Sequence, residues 1–321
     1  MKAAIVRGPK QTPVYGDFAE PAPAPGENRI RVLAAALSPL VRGRASGAHY
    51  SASHQFPFVA GVDGVGRLDD GRRVYFLMPR APHGAIAEVT VVPSALRLPV
   101  PDELDDVTAA AIANPAMSSC AALTERARLK PGETVLVNGA TGAAGQLAVQ
   151  IAKHFGAAKV IATGRNGEAL REAAAFGADM TIPLVGDEAA LDASFAAAFD
   201  EGVDVVVDYL WGRSAERLLI AAAKAGKAAP IRFVQIGSVS GETITLPSAV
   251  LRAAPITLMG SGLGSVPPDR LLAAIGAALE AAGPGGFKIA AKPVPLSDVE
   301  QAWARDHGGQ RIVFTVGAQG W

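Results

Sequence analysis

The chain has 321 residues, half of them hydrophobic and 19% charged, which is enough to build the cores of about two domains at roughly 150 residues each. Thirty basic and thirty acidic residues cancel, so there is no net positive field to attract nucleic acid or an anionic membrane surface. A single cysteine, Cys120, excludes an intrachain disulfide and any zinc site built on several thiolates.

In chain order, "MKAAIVRGP" is interrupted at Arg7 too early for a signal peptide, and no run is long enough to span a bilayer. A soluble cytoplasmic protein is the expectation. "KAAIVRG", "RIRVLAAAL", "RRVYFLM" and "IAEVTVVP" are short β-branched and apolar runs separated by Pro and Gly, and predict strands. "PAPAPGEN", residues 21–28, reads as a surface loop. At "PDELDDVTAAAIANPAMSSCAAL" the texture turns helical, with Asp102 and the acids after it suited to a helix N-terminus.

From residue 133 strands and helices alternate: "TVLVNGA", "GQLAVQIAKHFG", "KVIATG", "GEALREAAAFG", "VDVVVDYL", "SAERLLIAAAKAG", "IRFVQIGS", "PITLMGSG". That rhythm implies parallel pairing through right-handed crossovers, a doubly wound α/β sheet. The final "LLAAIGAALEAAG", "KIAAKPVPL", "SDVEQAWARD" and "RIVFTV" break the rhythm and are expected to return to the first domain.

Between the first strand and helix of this part lies "NGATGAAGQ", with Gly139, Gly142 and Gly145 spaced by three. Gly142 lets backbone approach a pyrophosphate, Gly145 lets helix and strand pack closely, and the helix N-terminus supplies N–H groups and a positive dipole end. "KVIATGRN" follows 17 to 24 residues beyond Gly142, where a dinucleotide site usually places Asp or Glu on the ribose hydroxyls. Gly164 removes that acid, Arg165 offers a guanidinium to a phosphate, and Asn166 offers an amide donor. Arg171 is a more distant candidate. The pattern reads as a site for the 2′-phosphate of NADPH.

These segments resemble the medium-chain dehydrogenase/reductase superfamily, and within it the zinc-free quinone oxidoreductase (zeta-crystallin-like) branch. "LKPGETVLVNGATGAAGQLAVQIAKHFGA" carries the resemblance most specifically; "PFVAGVDGVGRL", "GVDVVVDYLWG", "RFVQIGSVSG" and "VPLSDVEQAWA" follow in the family's order. The resemblance implies a GroES-like β-barrel catalytic domain over 1–113 and 263–321, an inserted Rossmann domain over 114–262, a homodimer and a small hydrophobic carbonyl or quinone substrate. It also places the catalytic zinc ligands of relatives at "SPLVRG" and "GVDGVG", where Val62 replaces the His and Asp63 stands alone. None of the histidines at 49, 54, 83, 154 and 307 is paired at close ligand spacing, so no metal is expected.

By the same resemblance Tyr50 lies at the cleft and could donate to a substrate oxygen, and Ser38 keeps a hydroxyl where relatives have Asn, although the acid that follows is absent. Cofactor contacts are expected from Ala140, Thr141, Gly142, Ala143 and Ala144 of the turn, from Gly164, Arg165 and Asn166, and from Gly237, Ser238, Gly260 and Ser261 at later strand ends. Ser118 is expected beside the nicotinamide, Tyr209 as an adenine-side wall, and Trp211 either there or in the core. Cys120 reads as a buried small residue. The resulting expectation is an NADPH-dependent, zinc-independent reductase of quinones or activated alkenes. The alternatives are a carbonyl or alcohol oxidoreductase, and an NADPH-binding protein with a structural or sensing role.

Overall fold

The computed structural model describes the chain except for residues 50, 53–54, 226–228, 306–308 and 318–321. It divides into two units, Met1–Asn114 with Ile289–Trp321, and Pro115–Lys288.

In the first unit the expected strands form. β1 (Lys2–Val6) is flanked antiparallel by β2 (Val14–Asp17) and β4 (Phe58–Val59). A larger sheet contains β3 (Glu27–Ala36), β5 (Asp63–Leu68), β6 (Arg73–Leu77), β7 (Val89–Pro93) and β8 (Arg97–Pro99), and α1 (Pro39–Ser46) follows β3. β5 is a strand despite the glycines that argue against one. A Cβ on Gly64 would lie 2.7 Å from the Ala34 carbonyl, and one on Gly66 2.4 Å from that of Arg31, so β3 approaches too closely for side chains there. Ile30, Val32, Phe76, Ile86 and Phe314 are among the residues filling this unit's core.

The second unit begins within α2 (Asp106–Ala121). Asp105, one of the acids that follow Asp102, caps that helix, its carboxylate accepting from the Thr108 N–H at 2.9 Å. There follow β9 (Thr134–Asn138), α3 (Ala143–His154), β10 (Lys159–Gly164), α4 (Gly167–Ala175), β11 (Met180–Pro183), α5 (Glu188–Glu201), β12 (Val205–Asp208), α6 (Gly212–Lys224), β13 (Ile231–Gln235), α7 (Val250–Ala253) and β14 (Ile256–Gly260). The strands are parallel in the order β11-β10-β9-β12-β13-β14. The doubly wound sheet is therefore as expected, and its topological switch point lies between β9 and β12, whose C-terminal ends border the ligand crevice of such sheets.

The expected return at residue 263 differs from the division observed. α8 (Pro268–Ala282) stays with the second unit, burying Leu271, Ile275 and Leu279. Beyond it Gln150 exchanges hydrogen bonds with the Lys288 backbone at 2.9 and 2.8 Å, and Phe287 stacks edge-on against His154. The chain then rejoins the first unit through β15 (Ala291–Pro295), α9 (Val299–Ala304) and β16 (Arg311–Thr315), giving the sheet order β15-β16-β3-β5-β6-β8 with β7 also on β3.

Candidate nucleotide-binding site

Three neighbouring strands of the second unit carry a polar residue at or next to their C-terminal end: Asn138 closes β9, Asp208 closes β12, and Thr163 is the last residue but one of β10. Register places Thr163 and Asp208 on either side of Asn138, and all three are fully buried. Thr163 Oγ1 donates to Asn138 Oδ1 at 2.7 Å, and Asn138 Nδ2 donates to Asp208 Oδ1 at 2.8 Å. The Gly139 N–H donates to Thr163 Oγ1 at 3.2 Å, and the Leu210 and Trp211 N–H groups donate to Asp208 Oδ1 at 3.0 and 3.1 Å. Burial raises the Asp208 pKa above the usual carboxylate range, against these hydrogen bonds from backbone and from Asn138. The network ties the start of the glycine turn to the turn after β12. Its signal in the sequence is a polar residue in the last two positions of each apolar strand.

Above this base Gly139 adopts φ +95, and a Cβ there would meet Leu210 at 2.9 Å. A Cβ on Gly145 would lie 2.2 Å from the Gly139 carbonyl oxygen, so α3 can seat against β9 only with glycine. Gly142 is the N-cap of α3 and brings no side-chain cap. The Cβ position at Gly142 meets no atom within 4 Å, which leaves the first N–H groups of α3 open to an anion. Thr141, Ala143 and Ala144 border that opening, whereas Ala140 is fully buried beneath it with its N–H on the Thr163 carbonyl. The geometry gives Ala140 a supporting rather than a contacting role.

At the end of β10, Gly164 has a second reason to be glycine: a Cβ would lie 2.2 Å from Thr141 Cγ2. Arg165 is exposed and forms no hydrogen bond or ion pair with the described residues. Asn166 caps α4, its Oδ1 accepting from the Glu168 and Ala169 N–H groups at 2.9 and 3.1 Å. Its oxygen is therefore committed, and its amide N–H₂ remains as the donor that the sequence suggests. An unpaired guanidinium beside the N-terminus of α4 suits a phosphate.

The remaining expected contacts divide. Gly260 faces open space, and Gly237 packs with its Cβ position 2.7 Å from the Tyr209 carbonyl. Ser238 is exposed, and Ser261 is buried with its N–H on the Gln235 carbonyl. Tyr209 is buried, and its hydroxyl lies 2.8 Å from Ser119 Oγ and 3.5 Å from Ser118 Oγ. Burial pushes its phenol up to about 12. Its side chain therefore braces α2 rather than forming an adenine-side wall. Trp211 packs against the core, edge-on to Phe233.

Of the two expected catalytic residues, Tyr50 lies outside the described residues. Ser38 is 1% exposed, and its hydroxyl caps α1 by accepting from the Val41 N–H at 3.0 Å. The hydroxyl serves the helix as an acceptor, because a Ser directly before Pro39 meets the N-cap requirement, and its O–H is not used by that cap. Asp63 is buried beneath the Tyr75 hydroxyl, which donates to it at 3.0 Å.

Comparison with known proteins fits this arrangement. Residues 143–280 match a family described as zinc-binding dehydrogenase. The chain is 29% identical to an Emericella nidulans protein named "Probable NADPH-dependent quinone reductase tdiC", over 94% of this chain and 96% of that one. It superposes on the quinone oxidoreductase of Thermus thermophilus, solved alone and with NADPH, with a TM-score of 0.83 and 29% identity over 98% of this chain and all of that one. A structure described as an NAD-dependent alcohol dehydrogenase gives a TM-score of 0.83 at 27% identity, over 99% of this chain and 100% of that one. With the strand order β11-β10-β9-β12-β13-β14 and the open glycine turn, these likenesses support the medium-chain dehydrogenase/reductase superfamily and, within it, the quinone oxidoreductase branch.

Proposed function

We infer that this NADPH-dependent oxidoreductase reduces a quinone or an activated alkene of the enone type without a catalytic metal. The observation that carries the reading is the pairing of an open, uncapped α3 N-terminus with Arg165, which directly follows the neighbouring strand and has no partner among the described residues. NADPH, when bound, supplies a hydride; a proton from solvent or a side chain completes the two-electron reduction of the acceptor. The chain's own residues supply the rest. The α3 N–H groups hold the pyrophosphate, Arg165 holds the 2′-phosphate, and the Asn138–Thr163–Asp208 network fixes the turn that presents them.

Independence from zinc rests on the sequence: "SPLVRG" has no Cys where the resembled metal enzymes place their first ligand, and Val62 stands in place of the His. Tyr50 is the proposed donor to the acceptor oxygen, and an undiminished kcat/KM in Tyr50→Phe would remove it. No helix among the described residues is long and apolar enough to cross a membrane. A homodimer is supported by β14, which ends its sheet with Thr257 and Leu258 exposed and offers an unpaired edge to a second copy.

Two other readings have support. The absence of an acid after Pro39, where Leu40 and Val41 stand, favours a binding role with little catalysis, and the likeness to an alcohol dehydrogenase favours a carbonyl enzyme. Purified protein mixed with NADPH and a panel of quinones, enones and simple aldehydes, followed by cofactor absorbance, separates the three. Oxidation with quinones or enones supports the reductase. Turnover with aldehydes alone supports the carbonyl enzyme, and tight NADPH binding with no acceptor turned over supports the binding role.

A further inference from the structure

The first unit contains a cavity of about 70 Å³ whose wall is largely apolar, with Val41, Ala45, Phe58, Val62 and Met78 around one cation, Arg44. Val41, Arg44 and Ala45 stand three and four residues apart on α1 and so share one face of that helix. Among the described residues that line the cavity none is Asp or Glu; the other ionisable group is His83, held below its usual pKa chiefly by burial. Arg44 is half-buried and has no ion pair with a described residue. Its guanidinium contact is Nη1 at 3.5 Å from Met78 Sδ, a thioether that accepts only weakly.

Burial lowers the Arg44 pKa, yet a guanidinium keeps its charge. Partial withdrawal of such a charge from water, with no counter-charge among the described lining residues, carries a cost. The C-terminal end of α1 offers it about half a charge at best. A carboxylate from outside the chain would supply what the wall lacks, and apolar atoms attached to it would fill the remaining space.

Size narrows the ligand. At about 10–15 Å³ for each water-sized occupant, the cavity accommodates roughly five to seven non-hydrogen atoms. We propose that this cavity binds a short apolar monocarboxylate, its carboxylate held by Arg44 and its hydrocarbon body against Val41, Ala45, Val62 and Met78. The inference does not use the reductase reading, since it concerns binding to the first unit alone.

The test compares crotonate with its uncharged isostere crotonamide, titrated against the full chain without NADPH and read by saturation-transfer NMR. Crotonate is expected to bind about tenfold or more tightly than crotonamide, the scale of one charge-assisted pair, and chloride is expected to compete. Arg44→Met should abolish that preference, whereas Arg44→Lys should retain part of it. Equal affinity of the two ligands for the unaltered protein would overturn the proposal. So would undiminished crotonate affinity in an Arg44→Met variant of unchanged Tm. If that variant fails to fold, the ratio of the two ligands and its chloride dependence in the unaltered protein decide. No turnover enters the measurement, so failure here and failure of the reductase reading remain distinguishable.

Discussion

Replacing Arg165 with Ala perturbs one proposed contact and little else, because the side chain is exposed and forms no hydrogen bond or ion pair with the described residues. Folding stability should therefore stay within about 0.5 kcal/mol of the unaltered protein. A charge-assisted hydrogen bond is worth about 1.5–3 kcal/mol, but water and salt compete at an exposed guanidinium and pull the figure down. The expected loss is about 1–2 kcal/mol, or roughly 5- to 30-fold in the Kd for NADPH. NADH has no 2′-phosphate and should change by less than about twofold. Titrations of both cofactors at one low and one high salt concentration measure the effect, which should shrink as salt rises. Equal weakening of NADPH and NADH would mean that Arg165 acts on the pyrophosphate or on the turn itself. No weakening of either would move phosphate recognition elsewhere.

Gly164→Ala should destabilise by about 1–3 kcal/mol, because its Cβ falls 2.2 Å from Thr141 Cγ2 and a β-branched neighbour yields little. Adding Thr141→Ala should recover most of the loss in urea unfolding, and a strictly additive pair would refute the clash. Asp63 supplies a pH dependence: burial pushes it up to about 6, against the charge of Arg311 and the Tyr75 hydrogen bond. A carboxyl raised in the folded state contributes stability that is present below its unfolded pKa of about 3.9 and is lost as pH rises through about 6. The change is about 3 kcal/mol. Asp63→Asn should flatten this part of the stability profile between about pH 4 and 6, and a slope surviving in the variant would assign it to other groups. Burial also pushes the Cys120 thiol up to about 12, so a thiol reagent at pH 8 should label it at the unfolding rate; rapid labelling of the native protein would contradict its burial.

Much of the second unit can be read from the sequence, since each of its signals is local. Strand–turn–helix alternation gives the doubly wound sheet, and the spacing of Gly139, Gly142 and Gly145 gives the turn. Tertiary packing decides what local signals cannot carry. β5 is a strand because β3 lies against Gly64 and Gly66, a contact between residues far apart in the chain. Ser38 caps a helix and Tyr209 reaches Ser119 of α2, partnerships that no spacing in the sequence announces.

At the glycine turn the two levels meet. Sequence alone determined that Gly164 and Arg165 replace the ribose-binding acid, because charge and position in a βαβ unit are properties of the chain. Only the tertiary structure decided that Gly164 is also required by Thr141, and that Asn138, Thr163 and Asp208 form one buried network. Parallel strands bring together residues separated by whole helices, and hydrogen-bond partners at that distance leave no period or spacing in the sequence to read.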